Sequence, residues 1–313
     1  VKNKLLLLLV ILMALPSLAI SMKNEQAKPE AVKSIKVLTA NLHVAAGIPV
    51  MPKAGLDNNT ILANLNKAVE IFKTVNADVI LLQEVDFNSS RSANINQGKF
   101  LAEKLGMHLS SVTTFNTHNI NYDYPEVLKN CEYGIAILSK QKPLNTKVSW
   151  LKNPPEVEAW PENERRVLLS IRLSYAENKT IQISNTHLDY RSRDNRKNQL
   201  EQIAPILDKE AAVIGGDFNE PWPIFSAKSE EDEKLVRLHG WKNGDKWQKD
   251  WLRFAGLESC LQKQIPPTYP VEGIKVSIDH IFAKGKASVR SLTRIDSASV
   301  SDHHFVLAEI GLE

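Results

Sequence analysis

Residues 34–313 predict a single α+β domain built on mixed β-sheets. Three observations carry this expectation. Short apolar runs with strand character outnumber amphipathic helical stretches. Arg166–Leu173 and Thr180–Leu188 read as adjacent strands joined by a short turn at Glu177-Asn178. Elsewhere strands and helices alternate, so the sheets are mixed rather than wholly parallel. Neither an internal repeat nor a linker interrupts this stretch.

The amino terminus stands apart. Lys2 and Lys4 precede an unbroken apolar run, Leu5–Leu15, and Ser17-x-Ala19 fits the small-x-small rule of a cleavage site. The run is shorter than the roughly 20 apolar residues that a bilayer-spanning helix needs. Residues 1–19 therefore read as a signal peptide. They imply a secreted or periplasmic protein with no transmembrane anchor after cleavage, expected to be a monomer. Residues 20–33 are polar and read as a linker.

The elements follow in order. Ile35–Leu42 alternates as a strand does. Gly47, Pro49, Pro52, Gly55 and Asp57-Asn58-Asn59 mark a loop over 44–59. Asn59 or Thr60 then caps a helix whose Ile61, Leu65, Ala68, Phe72 and Val75 form one apolar face. Asp78–Val85 reads as a buried strand closed by Gln83-Glu84. Gln97–Leu105 is helical in pattern, and Tyr133–Leu138 is a strand. After the Arg166–Leu188 pair come a helix from about Asp194 to Leu207 and a short buried strand, Ala211–Ile214, ending at Gly215-Gly216. Residues 221–250 form an insertion rich in Trp, Lys, Glu and Asp, with Ser226–Glu233 expected at the surface. Its Trp222, Trp241, Trp247 and Trp251 read as packing of an added subdomain in preference to a substrate-binding wall. Val276–Phe282, Ala287–Ile295 and Phe305–Ile310 are the last strands.

At 43% hydrophobic and 24% charged residues, the 313-residue chain has the composition of a soluble globular protein. Loss of residues 1–19 removes Lys2 and Lys4 and no acid, which lowers the formal charge from +3 to +1. That is far from the basic excess of a protein that wraps nucleic acid. Cys131 and Cys260 are the only cysteines. An exported chain permits a disulfide between them, and two free thiols fit equally well.

The chemistry lies in polar residues placed at the ends of apolar strands: Asn41, Glu84, His187, Asp217, Asn219, Asp279, Asp302 and His303. Burying such groups unpaired costs several kcal/mol, roughly 2–7 for a neutral one, so their recurrence at strand ends points to a site. Asp217 and Asn219 are two apart and share one side of a strand, with Phe218 turned into the core. Acidic oxygen ligands without cysteine suit a hard cation such as magnesium, manganese or calcium. Imidazoles beside such a cation suit phosphoryl chemistry.

Six segments in order resemble the motifs of the endonuclease/exonuclease/phosphatase superfamily, whose type member is pancreatic deoxyribonuclease. They are Thr39-Ala40-Asn41-Leu42, Gln83-Glu84-Val85, Asn185-Thr186-His187-Leu188-Asp189, Gly216-Asp217-Phe218-Asn219, Ile278-Asp279-His280-Ile281-Phe282 and Ser301-Asp302-His303. The resemblance spans about residues 34–312. It implies a four-layer α/β/β/α sandwich that cuts phosphoester bonds with a divalent cation, Mg2+ or in its place Mn2+ or Ca2+. Glu84 resembles the principal metal ligand, Asn41 an assistant to the metal or phosphate, and Asp302 a second metal contact. His303 resembles the imidazole at the scissile phosphate, and Asp279 the carboxylate that orients it and favours imidazolium. Asp217 resembles the group that orients or deprotonates the attacking water. Asn219 and His187 resemble donors to phosphate oxygens. Arg166 sits where relatives often carry a phosphate-binding arginine, and Tyr133 is a candidate of the same kind.

The resemblance leaves the substrate open among nucleic acid, phospholipid and small phosphoesters, since one fold hosts all of them. A secreted non-specific endonuclease acting on DNA or RNA is one alternative. A catalytically inactive binding protein on the same scaffold is another, although Glu84, Asp217 and His303 are all retained. A serine or cysteine hydrolase is disfavoured, because Gly-x-Ser-x-Gly is absent and neither cysteine lies in a nucleophile motif. A zinc site from His187, Asp279, Asp302 and His303 lacks the usual short ligand spacing. His280 and His304 point away from Asp279 and His303 in a strand and are expected to be structural. Arg191, Arg193 and Arg196 are candidates to line a phosphate site, but at least two are expected at a solvated helix start in preference to that role.

Overall fold

The computed structural model describes residues 32–47, 55–118, 124–152, 164–221, 228–241, 247–257, 267–270 and 276–313. The signal peptide, nearly all of the linker, Trp222 and Cys260 lie outside the described residues, as does the side chain of Trp247.

Eleven strands and five α-helices are described: β1 Ser34–Asn41, α1 Asn58–Val75, β2 Val79–Asp86, α2 Gln97–Leu105, β3 His108–Asn116, β4 Glu132–Ser139, β5 Asn145–Trp150, β6 Val167–Ala176, β7 Lys179–His187, α3 Arg193–Ile203, β8 Ala211–Asp217, α4 Glu230–His239, α5 Trp247–Ala255, β9 Asp279–Gly285, β10 Ala287–Ile295 and β11 Phe305–Leu312. They form a six-stranded sheet ordered β10-β11-β1-β2-β4-β3 and a five-stranded sheet ordered β5-β6-β7-β8-β9. Two neighbouring pairs run parallel, β1 with β2 and β7 with β8. Each needs a crossover, and α1 and α3 supply them. The remaining ladders are antiparallel.

Strand alternation builds the layers. On β1 and β2, Leu38, Ala40, Ile80 and Leu82 face outward and bury Ile61, Leu65 and Phe72 of α1 and Leu101 of α2. Val37, Val79 and Leu81 face inward and join Ile183, Val213 and Ile281 of the other sheet in one core. Beyond the five-stranded sheet, Phe218 and Phe282 meet Trp251 of α5 at ring separations of 6.4 and 6.3 Å. Each fully buried Leu, Ile or Phe stabilises the fold by about 1.5–3 kcal/mol. The result is the expected α/β/β/α sandwich. Where Gly215 lies, the sheets come so close that a Cβ would stand 2.7 Å from Leu81 Cδ1. One polar clasp crosses the gap: Gln83 Nε2 donates to Asn185 Oδ1 at 2.6 Å, and Asn185 Nδ2 donates to Leu82 O and Ala136 O.

Several local expectations are corrected. The cap of α1 is Asp57, whose Oδ1 accepts from the amides of Asn59 and Thr60. The strand expected from Val276 begins at Asp279, and Val276 only bridges Tyr269. Strands β3 and β5 had no strand reading. The helix before β8 ends at Ile203, where a 3-10 turn with Pro205 follows. In the insertion, α4 opens on a capping box formed by Ser229 and Asp232, and Asp232 is buried, not surface-exposed. Trp241 and Trp251 are buried, which supports packing as their role. Cys131 is a buried free thiol.

Candidate active site

The two parallel pairs end at the same edge of the sandwich, and the antiparallel β9 and the segment before β11 start there. This topology alone gathers Asn41, Glu84, His187, Asp217, Asp279 and His303, although they lie up to 262 positions apart in sequence. With Arg166, Tyr133, Asn219 and Asp302, most of them line one cleft of about 280 Å³. Asn41 and Asp279 sit directly behind that lining, bonded to Glu84, Asp217 and His303.

Local backbone devices aim the side chains. The β2–β4 register shifts between Leu82 and Val85, and Glu84 adopts φ +52°. Such strain in a non-glycine residue clusters at functional sites. Here it turns Glu84 into the cleft while Val85 returns to the helix side. On β8, Gly216 has φ +146°, and a Cβ there would meet Thr186 O at 1.9 Å. Only glycine fits that close ladder, and it sets Asp217 opposite His187 and Asp279.

Asp217 is the hub. Its Oδ1 accepts from the Asn219 amide at 2.8 Å, and its Oδ2 from Asn41 Nδ2 at 3.0 Å. His187 Nε2 lies 3.5 Å and His303 Nε2 3.8 Å from Oδ2. Burial, and next the Asp279 charge, push the Asp217 carboxyl up to about 7, against His303 and the two hydrogen bonds. His303 Nδ1 meets Asp279 Oδ2 at 2.9 Å. Burial opposes charge on this imidazole, but Asp279 outweighs it and lifts the pKa well above the ordinary histidine value. His187 goes the other way. Burial, then Arg166 and His303, hold it far below the usual range, so it is neutral.

Asn41 acts here through its amide hydrogens, since Nδ2 also donates to Glu84 Oε1 at 3.0 Å while its Oδ1 accepts from the His43 amide. Asn219 Nδ2 donates to Leu188 O at 3.1 Å. Arg166 is buried and paired with Glu164 at 2.9 Å. Burial raises the Glu164 pKa, and Tyr133 hydrogen-bonds to this carboxyl. Asp302 is one-third exposed, with Oδ1 3.5 Å from His43 Nδ1.

The residues present fit a hard divalent cation. Glu84, His187 and Asp217 each offer a ligand atom within 4.8 Å of the others, and so do Asp217, Asp279 and His303. All the donors are oxygen or imidazole nitrogen. Glu84 belongs to the first of these sets and is only half buried, whereas Asp302 belongs to neither.

His280 and His304 are structural, as expected. His280 Nε2 donates to Glu220 O at 2.9 Å and its ring packs on Phe218; burial depresses its pKa to about 4. Only Arg191 of the three arginines is exposed. Arg193 and Arg196 are buried against Glu220, with Arg196 Nε 2.9 Å from Glu220 Oε2, so the solvated helix start is corrected. Cleft residues that the sequence pattern does not reveal include His43, Arg91, Glu164, Tyr190, His239 and Tyr269. Glu164, two residues before Arg166, is the one a charge-pair search near the arginine would have found.

A family model described as Endonuclease/Exonuclease/phosphatase family matches residues 61–303. Among solved structures, the endonuclease/exonuclease/phosphatase from Beutenbergia cavernae DSM 12333 is 19% identical, with 90% of this chain and 72% of that chain covered at a TM-score of 0.67. A family protein from Leptotrichia buccalis C-1013-b is 17% identical over 89% of this chain and 100% of its own, at 0.59. One from Bacteroides vulgatus is 17% identical over 90% and 99%, at 0.55. At these identities the likeness establishes the fold. Comparison with curated proteins finds no match.

Proposed function

The chain belongs to the endonuclease/exonuclease/phosphatase family of phosphoester hydrolases, and on that premise we propose that it is an exported, divalent-cation-dependent phosphodiesterase or phosphatase. The observation that carries the reading is the buried chain Asp279–His303–Asp217 beside the half-open carboxylate of Glu84. Export rests on the pattern of residues 1–19.

The roles follow from the geometry. Asp279 fixes a proton on His303 Nδ1 and leaves Nε2–H to donate to a phosphoryl oxygen, where negative charge grows in the transition state. Asp217, lifted toward neutrality, matches the pH at which a general base works best. It takes one proton from water as the water oxygen bonds to phosphorus and the opposite P–O ester bond breaks. Neutral His187 and the Asn219 amide hold Asp217 in place for this transfer. Arg166 carries positive charge to the cleft wall. Glu84 would hold the cation, with Asp217 and His187 closest to share it; when bound, the cation neutralises charge on the phosphate. Magnesium is the first choice for such oxygen-rich ligation, with manganese or calcium as substitutes.

The test is an assay with and without Mg2+, beside His303→Ala. Supercoiled plasmid, RNA, bis(4-nitrophenyl) phosphate, a phospholipid suspension and inositol phosphates are run in parallel. Cleavage of at least one that EDTA and the substitution both abolish is expected. Plasmid or RNA cleavage would make this a secreted nuclease despite its near-neutral charge. No cleavage of any substrate with Mg2+, Mn2+ or Ca2+ would leave a binding protein on a hydrolase scaffold.

A further inference from the structure

The inserted segment takes no part in the roles above, yet it delivers a side chain to the cleft. His239, the last residue of α4, lines the cleft together with Tyr190 and Tyr269. It is 5% exposed. The ring is fixed on every side that the structure describes. It stacks on Trp241 at 4.6 Å and 12°, and meets Tyr269 edge-to-face at 6.1 Å and Tyr190 at 6.3 Å. Arg196 donates to its carbonyl at 2.8 Å. Trp241, two residues on, donates from Nε1 to the carbonyl of Asn219, and Tyr269 lies 4.6 Å from the ring of His303. Trp241 thus ties the insertion to Asn219, and His239 reaches His303 through the ring of Tyr269.

One atom is left over. His239 Nδ1 lies 3.0 Å from Tyr190 O. A carbonyl can only accept, so the proton sits on Nδ1 and Nε2 keeps a bare lone pair. Burial holds the ring neutral, at about 4. Among the described residues, Nε2 is buried with no hydrogen-bond partner. A buried acceptor left unpaired is costly and calls for a group that satisfies it.

We infer that His239 Nε2 accepts a hydrogen bond from a hydroxyl or N–H on the organic group esterified to the phosphate, against the wall of Tyr190, His239 and Tyr269. This assigns the substrate class as phosphoesters of a hydroxylated or amino-bearing group, as opposed to plain alkyl esters. The inference rests on the hydrolase reading. A site built to receive a donor rejects the analogue that lacks it, because its own polar group then stays unpaired.

The experiment compares glyceryl 4-nitrophenyl phosphate with methyl 4-nitrophenyl phosphate, which share a leaving group and differ in hydroxyl donors. Wild type is expected to prefer the glyceryl ester by at least tenfold in kcat/KM. His239→Asn keeps a donor for Tyr190 O and places no acceptor where Nε2 stands; its ratio of glyceryl to methyl kcat/KM should fall to near one. His239→Phe, which keeps the stack on Trp241, should do the same. A readout free of turnover is the Nε2 nitrogen-15 resonance, expected to move with sn-glycerol 3-phosphate and stay put with methyl phosphate. Equal use of both esters by wild type, a preference that survives in His239→Asn, or an Nε2 signal indifferent to glycerol phosphate would overturn the assignment. Failure to cleave either ester, in an enzyme inert toward the whole substrate panel, would instead sink the hydrolase reading beneath it.

Discussion

In the six-stranded sheet, β2 delivers Glu84 through a bulge at positive φ; in the five-stranded sheet, β8 delivers Asp217 from an unbroken ladder behind Gly215 and Gly216. The two acids end in different surroundings. Glu84 is half-buried at the mouth of the cleft, whereas Asp217 is 1% exposed and held by four polar neighbours. On the proposed function, the difference separates two tasks. An open carboxylate exchanges a hydrated cation, since water can leave and return. A buried one has its proton affinity set by the protein, as a base requires.

The comparison breaks most sharply at Asp217. Asp217→Asn keeps the shape and the acceptor for the Asn219 amide but cannot take a proton. Turnover should fall by about 10³-fold, within the range for loss of a general base. Single-turnover kinetics on a protein of unchanged circular dichroism would show it, and a rate within tenfold of wild type would assign the base elsewhere. Gly216→Ala tests how the ladder is built. The new methyl cannot coexist with Thr186 O, and urea unfolding should show a loss of about 3 kcal/mol, typical of overpacking.

The outward face of the same sheet gives a smaller, pH-dependent effect. His280 has its folded pKa depressed to about 4 by burial. Below the unfolded value near 6.5 the unfolded chain binds the proton first, so stability present above pH 6.5 is lost as pH falls toward 4. The loss amounts to about 3 kcal/mol for this group. His280→Gln keeps a donor for Glu220 O and does not titrate. Urea midpoints of the two proteins in EDTA should therefore converge as pH falls from 6.5 to 4, and a gap constant with pH would remove His280 as the cause. Smallest is Glu84→Gln. The Mg2+ needed for half-maximal rate should rise by about 10–100-fold, the range for loss of a metal-supporting contact, with the urea midpoint in EDTA unmoved. An unchanged Mg2+ requirement would shift the cation toward the Asp217, Asp279 and His303 set.

Much of this was legible in the sequence, because the site obeys strand periodicity. Asn41, Glu84, His187, Asp217 and Asp279 each terminate or begin an apolar run, and that is a one-dimensional signal. Strands β3 and β5 were not legible. They are edge strands rich in Ser, Thr and Asn, β5 exposed along most of its length and β3 largely half-buried, so no alternation marks them. Arg193 and Arg196 were misread because their partner, Glu220, is 24 or more positions away. Glu164 and His239 escaped for a related reason. One precedes a strand and the other closes an inserted helix, so neither stands in a motif that points to the cleft.

The Gln83–Asn185 clasp sits one residue behind Glu84 on one sheet and two behind His187 on the other. Two greasy sheets can shear past each other at little cost, because dispersion contacts have no direction. An amide pair sharing a 2.6 Å bond has a fixed length and angle. It works as a gauge block between two half-sites carried on separate plates, and the distance from Glu84 to Asp217 is machined there, out of reach of the substrate.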